Sequence, residues 1–214
     1  MRDAAQLGLG ALDTSACLAA LEAAGRAAFG GAPGVVRLEA HAGDGGGARL
    51  VAATRPLGSD PEHWSAVVAR VPHEGPGPWA GAKRAEWPCV ARARETAAAA
   101  GADEALLLDA AGRLVEGARA SLVVVRADGS AAAPPLARGG VRSVAREIAL
   151  AALPEICEAD VLAAELPRAR EVVALNAVRG ARPIVRLDGA AVGAGTPGPL
   201  AARLRAALDA ADDR

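Results

Sequence analysis

Gly81-Ala82-Lys83-Arg84-Ala85-Glu86-Trp87 is the stretch on which the reading of this chain turns. Lys83 is the only lysine among 24 lysine and arginine residues. Arginine replaces lysine as a surface charge, but its guanidinium stays protonated and cannot act as a neutral amine. A Schiff base to an aldehyde needs that amine. On the residues alone, an ordinary solvated lysine is the competing reading. The segments downstream of Lys83 favour the chemical one.

Working outward toward the C-terminus, Trp87–Ala100 reads as a helix closed by Gly101. Ala105–Asp109 is an apolar strand, Ala110-Ala111-Gly112-Arg113 a tight turn, and Leu114-Val115-Glu116 a return into the sheet. Ser121–Val125 is another buried-type strand, followed by the turn Asp128-Gly129. Pro134-Pro135 interrupts the chain, and Ser143 is placed to cap a helix over Val144–Leu153. Val172–Leu175 is a strand ending at Asn176, Ile184–Leu187 a strand, Asp188-Gly189 a turn, and Pro199–Ala211 a closing amphipathic helix.

Toward the N-terminus, residues 1–30 read as one helix, with Asp13-Thr14-Ser15 offering a cap and Gly30-Gly31 ending it. Val35–Ala40 alternates as a strand, and Ala48–Thr54 returns beside it. Gly45-Gly46-Gly47 joins the two and lacks the Gly-Lys-Ser/Thr of a phosphate loop, so it reads as a hairpin turn. Trp64–Val71 fits a strand or a short helix. Pro72-His73-Glu74-Gly75-Pro76-Gly77-Pro78 is a stiff, irregular connector, and it divides a domain at 1–78 from one at 79–214. Hairpins mixed with helices, rather than regular βαβ alternation, predict an α/β or α+β mixed-sheet fold.

Composition narrows the function. The 214 residues are 52% hydrophobic but only 2% aromatic, so the core is expected to be built from Ala, Val and Leu. A net charge of −1 gives no field that would draw nucleic acid or an anionic membrane. Cys17, Cys89 and Cys157 are far apart and form no metal-binding or disulfide pattern. No apolar run has the length of a membrane span, so a soluble, cytoplasmic protein is expected. His41, His63 and His73 show no spacing relation to the other candidates and read as surface or loop histidines.

Taken in order, these segments resemble the class IV aminotransferases, the fold-type IV pyridoxal-phosphate enzymes that include branched-chain and D-amino-acid aminotransferases and aminodeoxychorismate lyases. The resemblance spans about residues 81–200. Gly81-Ala82-Lys83 resembles the segment that carries the cofactor lysine. Gly101–Asp109 matches the strand entry, and Leu114-Val115-Glu116-Gly117 resembles the segment whose glutamate faces the pyridine nitrogen. Pro134-Pro135-Leu136 with Gly140–Arg146 resembles the phosphate-binding turn. Asn176-Ala177 with Arg182-Pro183-Ile184 resembles the second phosphate-side loop, and Gly193–Pro199 the closing loop.

The resemblance implies pyridoxal 5'-phosphate as cofactor and no metal. Lys83 is the implied catalytic residue, anchoring the cofactor aldehyde and then moving the substrate α-proton. Glu116 is implied to pair with the pyridinium, a solvated strand-edge carboxylate being its bland alternative. The N–H groups of Val144 and Ala145, with the Ser143 hydroxyl, are implied to hold the phosphate at a helix N-terminus, and Asn176 and Ala177 to complete its contacts. A small-molecule substrate and a homodimer are implied as well.

Set against the family, the sequence is expected to carry a shortened N-terminal small domain, and no residue matches the family's phosphate-binding arginine. Glu86, Trp87 and Pro88 stand where the family has an Asn and often a Tyr, and Ser121 replaces an Asn. Leu175-Asn176-Ala177 followed by Arg182-Pro183 looks closest to the aminodeoxychorismate lyases. These eliminate pyruvate from 4-amino-4-deoxychorismate to give 4-aminobenzoate for folate biosynthesis. An aminotransferase for branched-chain or D-amino acids is the alternative, and a truncated non-catalytic homologue the second alternative.

Overall fold

The structure is a computed structural model that describes residues 2–44 and 47–212. The chain divides into two compact units: Met1–Asp60 with Ala82–Ala85, and Pro61–Gly81 with Glu86–Arg214.

The first unit holds helices α1 (Arg2–Gln6) and α2 (Thr14–Phe29) and strands β1 (Gly34–Ala42) and β2 (Ala48–Pro56). The single helix expected over residues 1–30 is two helices. Gly8 and Gly10 both adopt left-handed backbone, with φ of 73° and 75°, and helical hydrogen bonding cannot run through them. The restart is capped as the sequence predicts: Asp13 accepts the Ser15 N–H at 2.9 Å, and Gly30 closes the helix at φ 56°. β1 and β2 pair antiparallel from Gly34↔Pro56 to Ala42↔Ala48, and α2 packs on both strands. The Gly43 N–H reaches the Gly47 carbonyl at 2.7 Å across the hairpin end. Gly45 and Gly46, at the predicted turn, lie outside the described residues.

The second unit contains β3 (Trp64–Val68), α3 (Pro88–Ala99), β4 (Glu104–Leu108), β5 (Leu114–Gly117), β6 (Ser121–Val125), β7 (Ala131–Ala133), α4 (Val144–Ala152), β8 (Ile156–Glu158), β9 (Glu171–Asn176), β10 (Gly180–Leu187), β11 (Ala190–Ala191) and α5 (Pro199–Asp212). They form one mixed sheet in the order β5-β4-β3-β10-β9-β6-β7-β8, with β11 on β10. β3 is parallel to β4 and to β10, and β7 to β8; the other pairs are antiparallel. Those two parallel partners settle Trp64–Val68 as a strand.

The strands read as continuous apolar runs because both faces are covered. Successive residues point to opposite sides. Leu106, Leu122, Val124, Val172 and Ala174 enter one cluster with Trp64 and Leu166. Their neighbours Val123, Val173 and Leu175 meet Ala145 and Ala149 of α4 and Leu204 of α5. Ala105 and Leu107 meet Val90, Ala93 and Ala97 of α3. Cys17, Cys89 and Cys157 are free. Among the described residues, no helix is long and apolar enough to cross a membrane, and no cluster of His, Cys, Asp and Glu could hold a metal.

Candidate active site

Lys83 belongs to the first unit, where its side chain is exposed. Its backbone N–H donates to the Asp3 carboxylate at 2.9 Å. Ala82 beside it is fully buried, so the backbone is held while the amine stays accessible.

The other candidates lie in the second unit. Glu116 sits on β5, paired with Leu107 of β4, and is 5% exposed. Its Oε2 accepts the Val141 N–H at 2.9 Å. Val141 is held in turn: it bridges Gly81, and the Arg142 N–H donates to the Gly81 carbonyl at 2.8 Å. Close approach here requires Gly140, where a Cβ would lie 3.3 Å from the Val115 carbonyl oxygen and 3.6 Å from Glu116 Oε2.

Ser143 caps α4 as its sequence position predicts, accepting the Arg146 N–H at 3.2 Å. The Val144 and Ala145 N–H groups open that helix, where no preceding turn supplies acceptors, so the helix end favours an anion. The Ser143 hydroxyl lies 2.8 Å from the Ser121 hydroxyl. Ser121 pairs with Leu175 across β6 and β9, one residue before Asn176. Glu116, the start of α4 and the end of β9 are thereby linked through Val141, Ser143 and Ser121. The Asn176 Oδ1 accepts the Val178 and Arg179 N–H groups at 3.0 and 2.8 Å, which shapes the turn after β9, and Ala177 is exposed.

For three residues here the sequence carried no hint of their contacts. His73, read as a surface or loop histidine, lies in a loop but is buried at 3%, with Nε2 3.5 Å from Glu116 Oε1. Ser121 meets Ser143. Arg146 is buried, donates to the Pro134 carbonyl at 3.1 Å and pairs with Glu158. A small recess lies between Glu116, Ser121, Pro134, Leu136, Gly140 and Arg146. The histidine contact had no local sequence signal. The Arg146 position did, as a cation on the apolar-patterned helix α4.

Glu104 is fully buried beneath Gly117. Its oxygens accept the Ala105 and Arg119 N–H groups at 2.8 and 3.2 Å. Burial pushes its carboxyl from 4.5 up to about 7, partly offset by those N–H groups and the Arg119 charge. The folded protein thus holds this proton at pH values where the unfolded chain has lost it. The contribution is full below pH 4.5, falls as pH rises toward 7, and is gone above that. From pH 5 to pH 8 the native protein is expected to lose about 3 kcal/mol from this group. Urea titrations at both pH values would show a much flatter dependence in Glu104→Gln; an equal loss in both proteins would refute the assignment.

Within the second unit the donors fit pyridoxal 5'-phosphate chemically: a buried carboxylate for a pyridinium and a serine-capped helix N-terminus for a phosphate. In the first unit, the accessible Lys83 amine is of the type that an aldehyde requires.

Comparison with known proteins gives the family. Residues 4–187 match the family model described as amino-transferase class IV. The Escherichia coli branched-chain amino acid aminotransferase superposes with a TM-score of 0.83 at 21% identity, over 98% of this chain and 75% of that one. The branched-chain aminotransferase of the archaeon Thermoproteus uzoniensis, with norvaline, gives 0.79 at 23% identity, over 97% and 74%. A hypothetical aminotransferase from Mycobacterium tuberculosis in its pyridoxal-phosphate-bound form gives 0.80 at 22%, over 100% and 81%. No curated protein matches the sequence. At these identities the solved structures establish a shared fold, and the family match across most of the sequence adds the chemistry: the chain belongs to the class IV aminotransferases, enzymes that depend on pyridoxal 5'-phosphate.

Proposed function

We propose that this protein is an aminotransferase that moves the amino group of a branched-chain or D-amino acid to a keto acid. The observation that carries the cofactor chemistry is the buried Glu116 carboxylate, held by the Val141 N–H. The fold shared with branched-chain aminotransferases along nearly the whole chain supports amino transfer.

When bound, the cofactor supplies an aldehyde that captures amines and a ring that accepts electrons. Lys83 provides the amine that anchors it and the base that moves the proton at the substrate α-carbon. Glu116 keeps a proton on the ring nitrogen through charge pairing. The Ser143, Val144 and Ala145 end of α4, with Asn176 and Ala177, binds the phosphate. The active form is a homodimer.

Leu175-Asn176-Ala177 with Arg182-Pro183 favours a second reading, the lyase that releases pyruvate and forms 4-aminobenzoate. One pair of assays separates them. Leucine, valine, isoleucine or D-alanine with 2-oxoglutarate should give glutamate if the first reading holds. Pyruvate from 4-amino-4-deoxychorismate without any added keto acid would favour the second. Loss of both activities in a protein that still binds the cofactor would refute both.

A further inference from the structure

His73 has no role in the chemistry described so far, yet it is among the most constrained side chains in the second unit. Its ring is fully buried. Its backbone N–H donates to the Leu108 carbonyl at 2.7 Å, pinning it beside the end of β4. The ring meets Trp87 edge-on, with centroids 5.2 Å apart. Gly139, at φ 102°, admits the ring: a Cβ there would lie 3.1 Å from His73 Cε1.

The tautomer follows from one hydrogen bond. The Gly75 N–H donates to His73 Nδ1 at 3.0 Å, so Nδ1 is an acceptor and carries no proton. In the neutral ring the proton then resides on Nε2. That nitrogen faces Glu116 Oε1 at 3.5 Å, and the N–H has no formed hydrogen bond. A buried donor without a partner is unfavourable, and a modest closure onto the carboxylate removes the penalty. Oε1 can take this bond because a carboxylate offers about four lone-pair sites, and Val141 uses one on Oε2.

We infer that His73 is a positioning residue for Glu116. Its Nε2–H and the Val141 N–H grip the two carboxylate oxygens, fix the plane of the group and aim it at the cofactor's ring nitrogen. This rests on the pyridinium role proposed for Glu116. The chain thus uses a loop histidine, supplied by the Pro72–Pro78 connector, to support a strand carboxylate.

The test uses the full chain and pyridoxal 5'-phosphate. In the cofactor-free wild type, imidazole ¹⁵N NMR should show His73 protonated at Nε2 and bare at Nδ1, with the Nε2 signal moving in Glu116→Gln. A proton on Nδ1 overturns the proposal without any variant of His73. Cofactor affinity, followed by absorbance, should weaken about 10-fold in His73→Leu. It should largely recover in His73→Gln, whose amide can donate from near the Nε2 position. In a Glu116→Gln background, His73→Leu should add little. If Glu116→Gln weakens binding but His73→Leu does not, or if the two losses multiply, the His73 role is wrong and the Glu116 role stands. If Glu116→Gln binds as tightly as wild type, the Glu116 role fails and the His73 role falls with it.

Discussion

Lys83→Ala is expected to abolish the visible absorption band that the protein develops with pyridoxal 5'-phosphate. Catalysis should fall by at least about 10²–10⁴-fold, the usual contribution of a positioned proton-transfer group alone. Lys83→Arg should fail equally, because a guanidinium keeps the charge and cannot give up its proton to become a nucleophile. Both variants should stay as stable as wild type within about 0.5 kcal/mol, since the side chain is exposed. The backbone N–H that meets Asp3 is untouched by either change. Borohydride reduction followed by peptide mass spectrometry should place the cofactor on the peptide containing Lys83. An undiminished band in Lys83→Ala would end the assignment.

Gly139→Ala is expected to be the most damaging single-atom addition near the site. The residue holds φ 102°, and its Cβ would fall inside contact distance of the Gly75 carbonyl oxygen and 3.1 Å from His73 Cε1. Backbone on both sides is tied down: the Gly139 N–H donates to the Leu136 carbonyl at 2.9 Å, and the Gly75 N–H to His73. Neither can retreat cheaply. The cost should reach roughly 3 kcal/mol, combining left-handed strain with the clash. Gly112→Ala is the control, because Gly112 is also left-handed, at φ 74°, but a Cβ there meets nothing within 4 Å. It should cost only about 1 kcal/mol, from strain alone. Urea unfolding of the two variants measures the difference; equal losses would show that crowding at Gly139 is relieved. Cofactor binding should weaken only in Gly139→Ala, since that substitution displaces the loop carrying His73.

Much of the fold was legible where local chemistry and tertiary structure agree. Ser143 caps α4 because its hydroxyl reaches the Arg146 N–H whatever lies beyond. Asp188-Gly189 turns as expected, both residues taking positive φ, at 48° and 81°. The Leu106-Leu107 and Leu122–Val124 runs announced strands buried on both faces. Other elements carried no local signal. β7 is three alanines, a poor strand composition, and forms because β6 and β8 flank it.

The site divides along the same line. The sequence by itself determined the solitary lysine, the strand carboxylate and the capped helix that a phosphate would need. Each is a residue type or a local spacing, and such signals survive without coordinates. Only the tertiary structure decided that His73 Nε2 comes within 3.5 Å of Glu116, that Ser121 meets Ser143, and that Glu104 is buried beneath Gly117. Those contacts join residues from different elements. They exist because sheet pairing and left-handed glycines bring distant backbone together, and a one-dimensional pattern does not encode which side chains will face each other across that gap.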